Sequence, residues 1–154
     1  SLLSRINSAK PKIADYKFTT LNPNLGVTSY DHKEITLADI PGLIENAHKG
    51  VGLGIKFLKH VERCNTLLHL IDVKENNLIN SYKQVRKELG KYSKNLLNKN
   101  EIIVFNKIDL ISEKDLILKK NEFCRKLKKD IILLSTLDKK LISKVKSKII
   151  KYVS

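Results

Sequence analysis

The residues Asn106, Lys107, Ile108 and Asp109 directly follow the apolar run "IIVF" and could recognise a nucleobase. A carboxylate offers two acceptor oxygens, which match the adjacent N1–H and exocyclic amine donors of guanine, whereas adenine presents no such donor pair. We therefore predict that Asp109 selects guanine, that Asn106 braces the loop and that the Lys107 stem lies along the base plane. Each group left unpaired by a wrong base would cost about 1–3 kcal/mol. The motif is short enough to arise by chance, and its place after a buried strand is what favours this interpretation.

A second group, Asp39, Ile40, Pro41 and Gly42, ends another apolar run and could act on phosphate. We predict that Asp39 holds a water on Mg²⁺ and that the Gly42 amide approaches a terminal phosphate, where a side chain would obstruct it. The alternative is a simple turn, which Pro41 would favour. The guanine-type motif further along the chain favours the phosphate interpretation.

Strands and helices must position these groups. Apolar patterns predict strands at residues 25–30, 34–40, 66–72, 101–106 and 130–135. Most of these runs are almost continuously apolar, which is typical of a parallel sheet covered on both faces. Helical spacing of apolar residues occurs between them, at residues 57–64, 78–92 and 141–153. The alternation predicts a doubly wound α/β fold, with a mostly parallel sheet and helices on both faces.

Polar residues end four of the predicted strands, namely Asp39, Asp72, Asn106 and Ser135. The carboxyl ends of parallel strands lie at one edge of a sheet, and ligands bind in the crevice beyond that edge. These side chains from distant segments are therefore expected to form a single site.

Composition sets broad limits on the chain. Its 154 residues suit one domain, and their formal net charge is +14. The lysines are scattered between apolar positions, which favours a solvated surface over a nucleic-acid interface, although attraction to RNA stays open. No apolar run is long enough to cross a membrane, so we expect a cytoplasmic protein without a membrane partner.

Three segments together resemble the G domain of the Obg family of bacterial GTPases: "SAKPKIADYKFTTLNPNLG", "ADIPGLIENAHKGVGLGIKFLKHVER" and "NKID". The resemblance covers essentially the whole chain. It implies a P-loop NTPase G domain that binds GTP or GDP with Mg²⁺ and acts in maturation of the large ribosomal subunit. It also implies that Thr20 is the switch I threonine, so that Thr20 and Asp39 would hold the metal. The implied nucleotide-binding residues are Phe18, Thr19, Thr20, Leu21, Asn22, Asp39, Ile40, Pro41, Gly42, Asn106, Lys107, Ile108, Asp109, Ser135, Thr136 and Leu137.

The chain departs from the family pattern in two places. Its last loop reads Ser-Thr-Leu instead of Ser-Ala-x, so Thr136 alters a loop that contacts the base. Leu43 stands where Ras-like GTPases place a glutamine that orients water, and leucine cannot do so. We therefore assign no catalytic residue and expect slow hydrolysis that needs a monovalent cation or an assembly partner.

The motif G-x-x-x-x-G-K-[ST], which cradles phosphates, does not occur in these 154 residues. Because "SLLSRIN" resembles the helix after a P-loop, residues 1–154 are expected to be an Obg-type G domain without its first strand and P-loop, inactive alone. Three interpretations stay open: a GTPase switch that binds the large ribosomal subunit or its rRNA as a monomer, a noncatalytic ribosome- or RNA-binding module, and a degenerate nucleotide domain.

Overall fold

The computed structural model describes residue 2, residues 25–38 and residues 62–153. Within them the strands are β1 (Leu25–Tyr30), β2 (Lys33–Ala38), β3 (Thr66–Asp72), β4 (Asn100–Asn106) and β5 (Ile131–Leu133). The helices are α1 (Leu78–Tyr92), α2 (Lys94–Leu97), α3 (Glu113–Leu127) and α4 (Lys139–Val153), with a 3₁₀ turn at Ile108–Leu110. None of the helices in these ranges is long and apolar enough to span a bilayer.

Strands β3, β4 and β5 form a parallel sheet with β4 in the middle. The predicted strand at residues 66–72 is confirmed, and the one at 101–106 is confirmed with one more residue at its start. The strand predicted at 130–135 is present but shorter, at Ile131–Leu133. Strands β1 and β2 pair antiparallel around a two-residue turn, where Asp31 and His32 both have positive φ. Such turns match the right-handed twist of a hairpin.

Helices cover both faces of the parallel sheet, as predicted. Successive side chains of a strand point to opposite faces, and β4 buries both sets. Ile102 and Val104 pack in one cluster with Val145 and Ile149 of α4. Ile103 and Phe105 pack in the other cluster, which α1 and α3 complete. The doubly wound α/β class is therefore confirmed.

Helix α3 was missed by the sequence prediction. Its one fully buried residue is Phe123, and its exposed surface includes Ile117 and Leu118, so its apolar stripe is weak. A capping signal marks its start, because Ser112 Oγ accepts a hydrogen bond from the Asp115 amide at 3.1 Å. The predicted helix at residues 57–64 lies mostly outside the described residues. Within them, Arg63 is the last helical residue.

A buried carboxylate stabilises the amino end of β4. The Glu101 side chain is 4% exposed and accepts a hydrogen bond from Tyr82 Oη at 2.8 Å. His69 Nδ1 lies 3.2 Å and Arg86 Nη1 lies 3.6 Å from its other oxygen. Burial raises the pKa of the Glu101 carboxyl. The hydrogen bonds from His69 and Tyr82 and the charge of Arg86 together lower this pKa by more than burial raises it. The net pKa is below that of an ordinary glutamate.

This cluster predicts an acid-sensitive contribution to stability. The pKa of Glu101 is lower in the folded protein than in the unfolded chain, so the ionised carboxylate stabilises the fold. This contribution is complete above the unfolded-state pKa of about 4.3, and it is lost as the pH falls through the folded-state pKa. We expect Glu101→Gln to lower the free energy of unfolding by about 1–3 kcal/mol at pH 7 and by much less at pH 3. Urea denaturation across this pH range measures both values.

The matched control for this prediction is Glu122→Gln. Glu122 is an exposed residue of α3 that pairs with Lys126 at 2.7 Å, and exposed pairs contribute little. Equal losses of stability in the two variants, or a loss for Glu101→Gln that does not depend on pH, would contradict a structural role for the Glu101 charge.

Candidate functional site

Three of the four predicted strand ends converge in the parallel sheet. The fourth, Asp39, lies outside the described residues, and β2, the strand before it, pairs with β1 within them. Asp72 and Asn106 are register partners at the carboxyl ends of β3 and β4. The pairing of β4 with β5 continues past β5, since the Leu134 amide donates to the Phe105 carbonyl at 2.8 Å. Ser135 follows Leu134 and is 4% exposed. The structure therefore brings Asp72, Asn106 and Ser135 to one edge.

A hydrogen bond joins the two loops that leave this edge. Ser135 Oγ donates to Asp109 Oδ1 at 2.5 Å and accepts from the Leu137 amide at 3.3 Å. The backbone adds a second link, from the Ile108 amide to the Leu134 carbonyl at 3.3 Å. Because Ser135 is buried and Asp109 is exposed, the serine acts as a fixed support that orients the carboxylate toward the surface.

Lys107 has an unusual backbone conformation for a residue with a side chain. Its φ of 63° lies in the left-handed region, which costs such a residue about 1–2 kcal/mol. Local contacts offset this strain: the Lys107 amide donates to Asn106 Oδ1 at 2.9 Å, and the Leu110 amide donates to the Lys107 carbonyl at 3.0 Å. The conformation turns the chain sharply from β4 into the 3₁₀ turn that carries Asp109.

The Lys107 side chain forms an ion pair that the sequence did not predict. Its Nζ lies 2.5 Å from Asp72 Oδ2, and the other Asp72 oxygen accepts from the Lys74 amide at 2.9 Å. The hydrogen bond and charge of Asp72 raise the pKa of Lys107. Burial raises the pKa of Asp72, but the Lys107 and Lys74 contacts lower it more, so the net shift is downward. Asp72 thus anchors the Lys107 side chain across the strand ends.

An open cleft of about 600 Å³ lies beside Asp109. Its apolar side chains come from the two loops and from α4, and its polar ones include the Asp109 carboxylate. The lining residues are Ile108, Asp109, Ser135, Leu137, Asp138, Lys139 and Leu141. Asp138 also caps α4, because its Oδ1 accepts from the Lys140 amide at 2.8 Å.

This arrangement fits a guanine base. Asp109 Oδ1 is held by Ser135, and Oδ2 has no hydrogen bond within the described part of the chain. An exposed, oriented carboxylate with free acceptor capacity matches two adjacent N–H donors, and apolar side chains suit the flat faces of a base. The Leu137 side chain is 73% exposed, so it could cover an incoming ring.

The predicted metal site lies in another part of the chain. Phe18 to Asn22 and Asp39 to Gly42, which include both predicted Mg²⁺ ligands, lie outside the described residues. Among residues 25–38 and 62–153, no group of three or more His, Cys, Asp or Glu side chains could hold a metal ion. The assignment of Thr20 and Asp39 to Mg²⁺ stays a prediction.

Comparisons with known proteins identify the family. A family model described as "50S ribosome-binding GTPase" matches residues 1–107. The protein "GTPase Obg" of Pelagibacter ubique is 62% identical over all 154 residues, which make up 47% of its length. "GTPase Obg" of Ehrlichia chaffeensis is 49% identical over 153 residues, or 99% of this chain and 44% of that protein. The chain belongs to the Obg family of GTPases. It spans less than half the length of these relatives.

Solved structures support the fold of this Obg family member. The FeoB G-domain from Methanococcus jannaschii superposes with a TM-score of 0.67 at 15% identity, over 99% of this chain and 87% of that one. The cytosolic domain of the T. maritima FeoB iron transporter, in a GDP form, gives 0.69 at 18% identity, over 98% of this chain and 56% of that one. At these identities the likeness supports the G-domain fold and nothing finer.

The described structure brings together part of the predicted site. Asp109 and Ser135 are in contact, Asn106 supports the backbone of Lys107, and Ile108 and Leu137 line the same cleft. Thr136 lies in the turn before α4 and does not line the cleft. Sequence reasoning missed Asp138, Lys139 and Leu141, although an Asp directly before a helical apolar pattern is a known N-cap signal.

Proposed function

We propose that the protein carrying this chain is a GTPase switch that uses Mg²⁺ and acts on the large ribosomal subunit during its assembly. The observation that carries the proposal is the Asp109 carboxylate, held by Ser135 at the end of a parallel sheet beside an open cleft. Family membership supports GTP as the nucleotide, and the family description "50S ribosome-binding GTPase" supports the ribosomal partner.

The proposal assigns roles to residues in two groups. Asn106 to Asp109 and Ser135 to Leu137 would bind guanine. Phe18 to Asn22 and Asp39 to Gly42 would bind the phosphates, with Mg²⁺ on Thr20 and Asp39. Hydrolysis would be slow, because Leu43 cannot orient water, and a monovalent cation or a ribosomal partner would supply the missing group. We place the activity in the cytoplasm and in a monomer.

A second candidate is a noncatalytic ribosome- or RNA-binding module. The formal charge of +14 favours it, since a basic surface attracts RNA without any need for a nucleotide. The two candidates differ in whether the nucleotide changes the affinity for the ribosome.

Binding to purified large subunits with different nucleotides distinguishes them. We expect the protein to hydrolyse GTP and not ATP, and to bind subunits more tightly with a nonhydrolysable GTP analogue than with GDP, because a switch needs differential affinity of its two states. Calorimetry measures the binding of each nucleotide, and phosphate release measures the hydrolysis of GTP and of ATP. Co-sedimentation with subunits measures the affinity in the presence of each nucleotide. Subunit binding that ignores the nucleotide, in a protein without GTP hydrolysis, would support the module and overturn the switch.

A further inference from the structure

Helix α4 has an unusual charge composition among the helices of the described ranges. Its sequence "KKLISKVKSKIIKYV" contains six lysines and no acidic residue. Helix α3 mixes its basic residues with Glu113, Asp115 and Glu122, and one of these forms an ion pair with Lys126. In α1, Lys91 pairs with Glu88 at 3.0 Å. The charge of α4 is therefore of one sign, which is not the usual composition of a solvated helix face.

Four of these lysines lie in one row along the helix. Lys140, Lys144, Lys148 and Lys151 are separated by four, four and three residues, which places them on one side at about one residue per turn. All four are exposed. We call them the α4 lysine row. At about 1.5 Å of rise per residue, the row is about 16 Å long.

The opposite side of α4 packs against the core. Ile142, Val145 and Ile149 are buried against Ile102 and Val104 of the sheet. The α4 lysine row therefore faces solvent in a fixed orientation. Within the described part of the chain, no side-chain hydrogen bond or ion pair engages any of its four ammonium groups.

A membrane surface does not fit this helix. A helix that binds in a lipid interface must insert an apolar face, and the apolar face of α4 is already packed in the core. A row of exposed ammonium groups instead complements regularly spaced phosphates, as in an RNA strand. Lysine binds phosphate as a point charge and reads no base, so such a contact would be independent of sequence.

We propose that the α4 lysine row is an RNA-binding surface that contacts the phosphate backbone of ribosomal RNA. This inference rests on the proposed function for the choice of RNA, and it adds the surface that makes the contact. The row lies on the sheet face opposite α1 and α3 and outside the nucleotide cleft. RNA binding and nucleotide binding are therefore separable by mutation.

The test is the triple variant Lys144→Gln, Lys148→Gln and Lys151→Gln, in which glutamine keeps a high helix propensity. Its affinity for large ribosomal subunits and for a protein-free duplex RNA is measured over a range of KCl concentrations. Each lost phosphate contact reduces the slope of log affinity against log salt by about one, so we expect a reduction of about 2–3. Because the two lines should meet near about 1 M salt, the affinity of the variant at about 0.1 M KCl should be about 100- to 1,000-fold lower. Affinity for GDP should stay unchanged.

The chain offers a matched control on α1. Lys83, Lys87 and Lys91 are also exposed and spaced by four residues, but they lie on the other face of the sheet. The triple substitution of these lysines by glutamine removes the same charge and should leave the RNA affinity and its salt dependence nearly unchanged.

The outcomes separate this inference from the proposed function. If the unmodified protein binds RNA and both triple variants lose affinity equally, net charge is responsible and the α4 surface is overturned. If the α4 variant loses binding to vesicles of anionic lipid but not to RNA, the partner is a membrane and the inference is also overturned. If duplex RNA binding depends on the row while subunits are not bound, the surface stands and the ribosomal role in the proposed function fails.

Discussion

Asp109→Asn is expected to weaken GTP binding by about a hundredfold or more and to make xanthosine triphosphate the preferred nucleotide. The carboxylate would meet two donors on guanine, and an amide replaces one of the two acceptors with a donor. Xanthine carries a carbonyl where guanine carries its amine, so it restores the match. The loop should keep its shape, because Ser135 Oγ, now 2.5 Å from Asp109 Oδ1, can donate to the new amide oxygen as well.

Competition binding of both triphosphates to the parent and the variant measures this exchange. Asp130→Asn is the matched control, since Asp130 is an exposed residue before β5 and outside the cleft. It should leave both affinities unchanged. Equal GTP affinity in the Asp109 variant and the parent would disprove the guanine assignment, whatever the result with xanthosine triphosphate.

The sequence predicted the parts of the site that depend on strand direction. Buried apolar runs indicate parallel strands, and parallel strands in register must end at one edge, which is why Asp109 and Ser135 meet although they are 26 residues apart. The motif at residues 106–109 indicated which residue types would bind a base, and the parallel topology indicated that Asp109 and Ser135 would lie close together. Neither needed the identity of the family.

The ion pair of Lys107 with Asp72 could not be predicted in this way. It depends on the left-handed backbone at Lys107, a conformation that sequence patterns associate with glycine or asparagine and not with lysine. The pattern instead indicated a lysine stem lying along a base. Neighbouring contacts offset the strain at Lys107. Strained residues tend to occur at functional sites, and Lys107 lies in the predicted guanine-binding motif.

Buried polar groups and weakly amphipathic helices were missed for a different reason. Glu101 looked like the polar first residue of an apolar strand, and its burial comes from His69 and Tyr82 on other elements. Helix α3 packs mainly through Phe123, so its apolar period is faint. Local patterns describe a segment and its solvent, whereas these features arise from contacts between segments.

Composition and structure lead to different interpretations of the lysines of α4. Scattered lysines favour a solvated surface when only spacing along the chain is considered. Once Val145 and Ile149 are known to face the core, four of those lysines fall in one exposed row. The structure therefore locates part of the net positive charge on one exposed surface, which mutation can test.

Thr20→Ala is expected to reduce GTP hydrolysis by about 10- to 100-fold while GDP affinity changes by less than about twofold. By resemblance, the Thr20 hydroxyl and carbonyl would close on Mg²⁺ and the γ-phosphate. GDP lacks that phosphate, so the ground state with GDP does not include the contact that the mutation removes. A loss confined to the triphosphate state is what distinguishes a switch residue from one that only stabilises the fold.

Single-turnover hydrolysis and GDP calorimetry on the protein carrying this chain test this expectation. Thr20→Ser keeps the hydroxyl and should restore most of the rate, because it is the oxygen and not the methyl group that would bind Mg²⁺. Protease cleavage between Tyr16 and Leu21 gives an independent readout, and a GTP analogue should protect this segment better than GDP does. Identical protection by the two nucleotides, or a serine variant as slow as the alanine variant, would exclude Thr20 as the residue that senses the γ-phosphate.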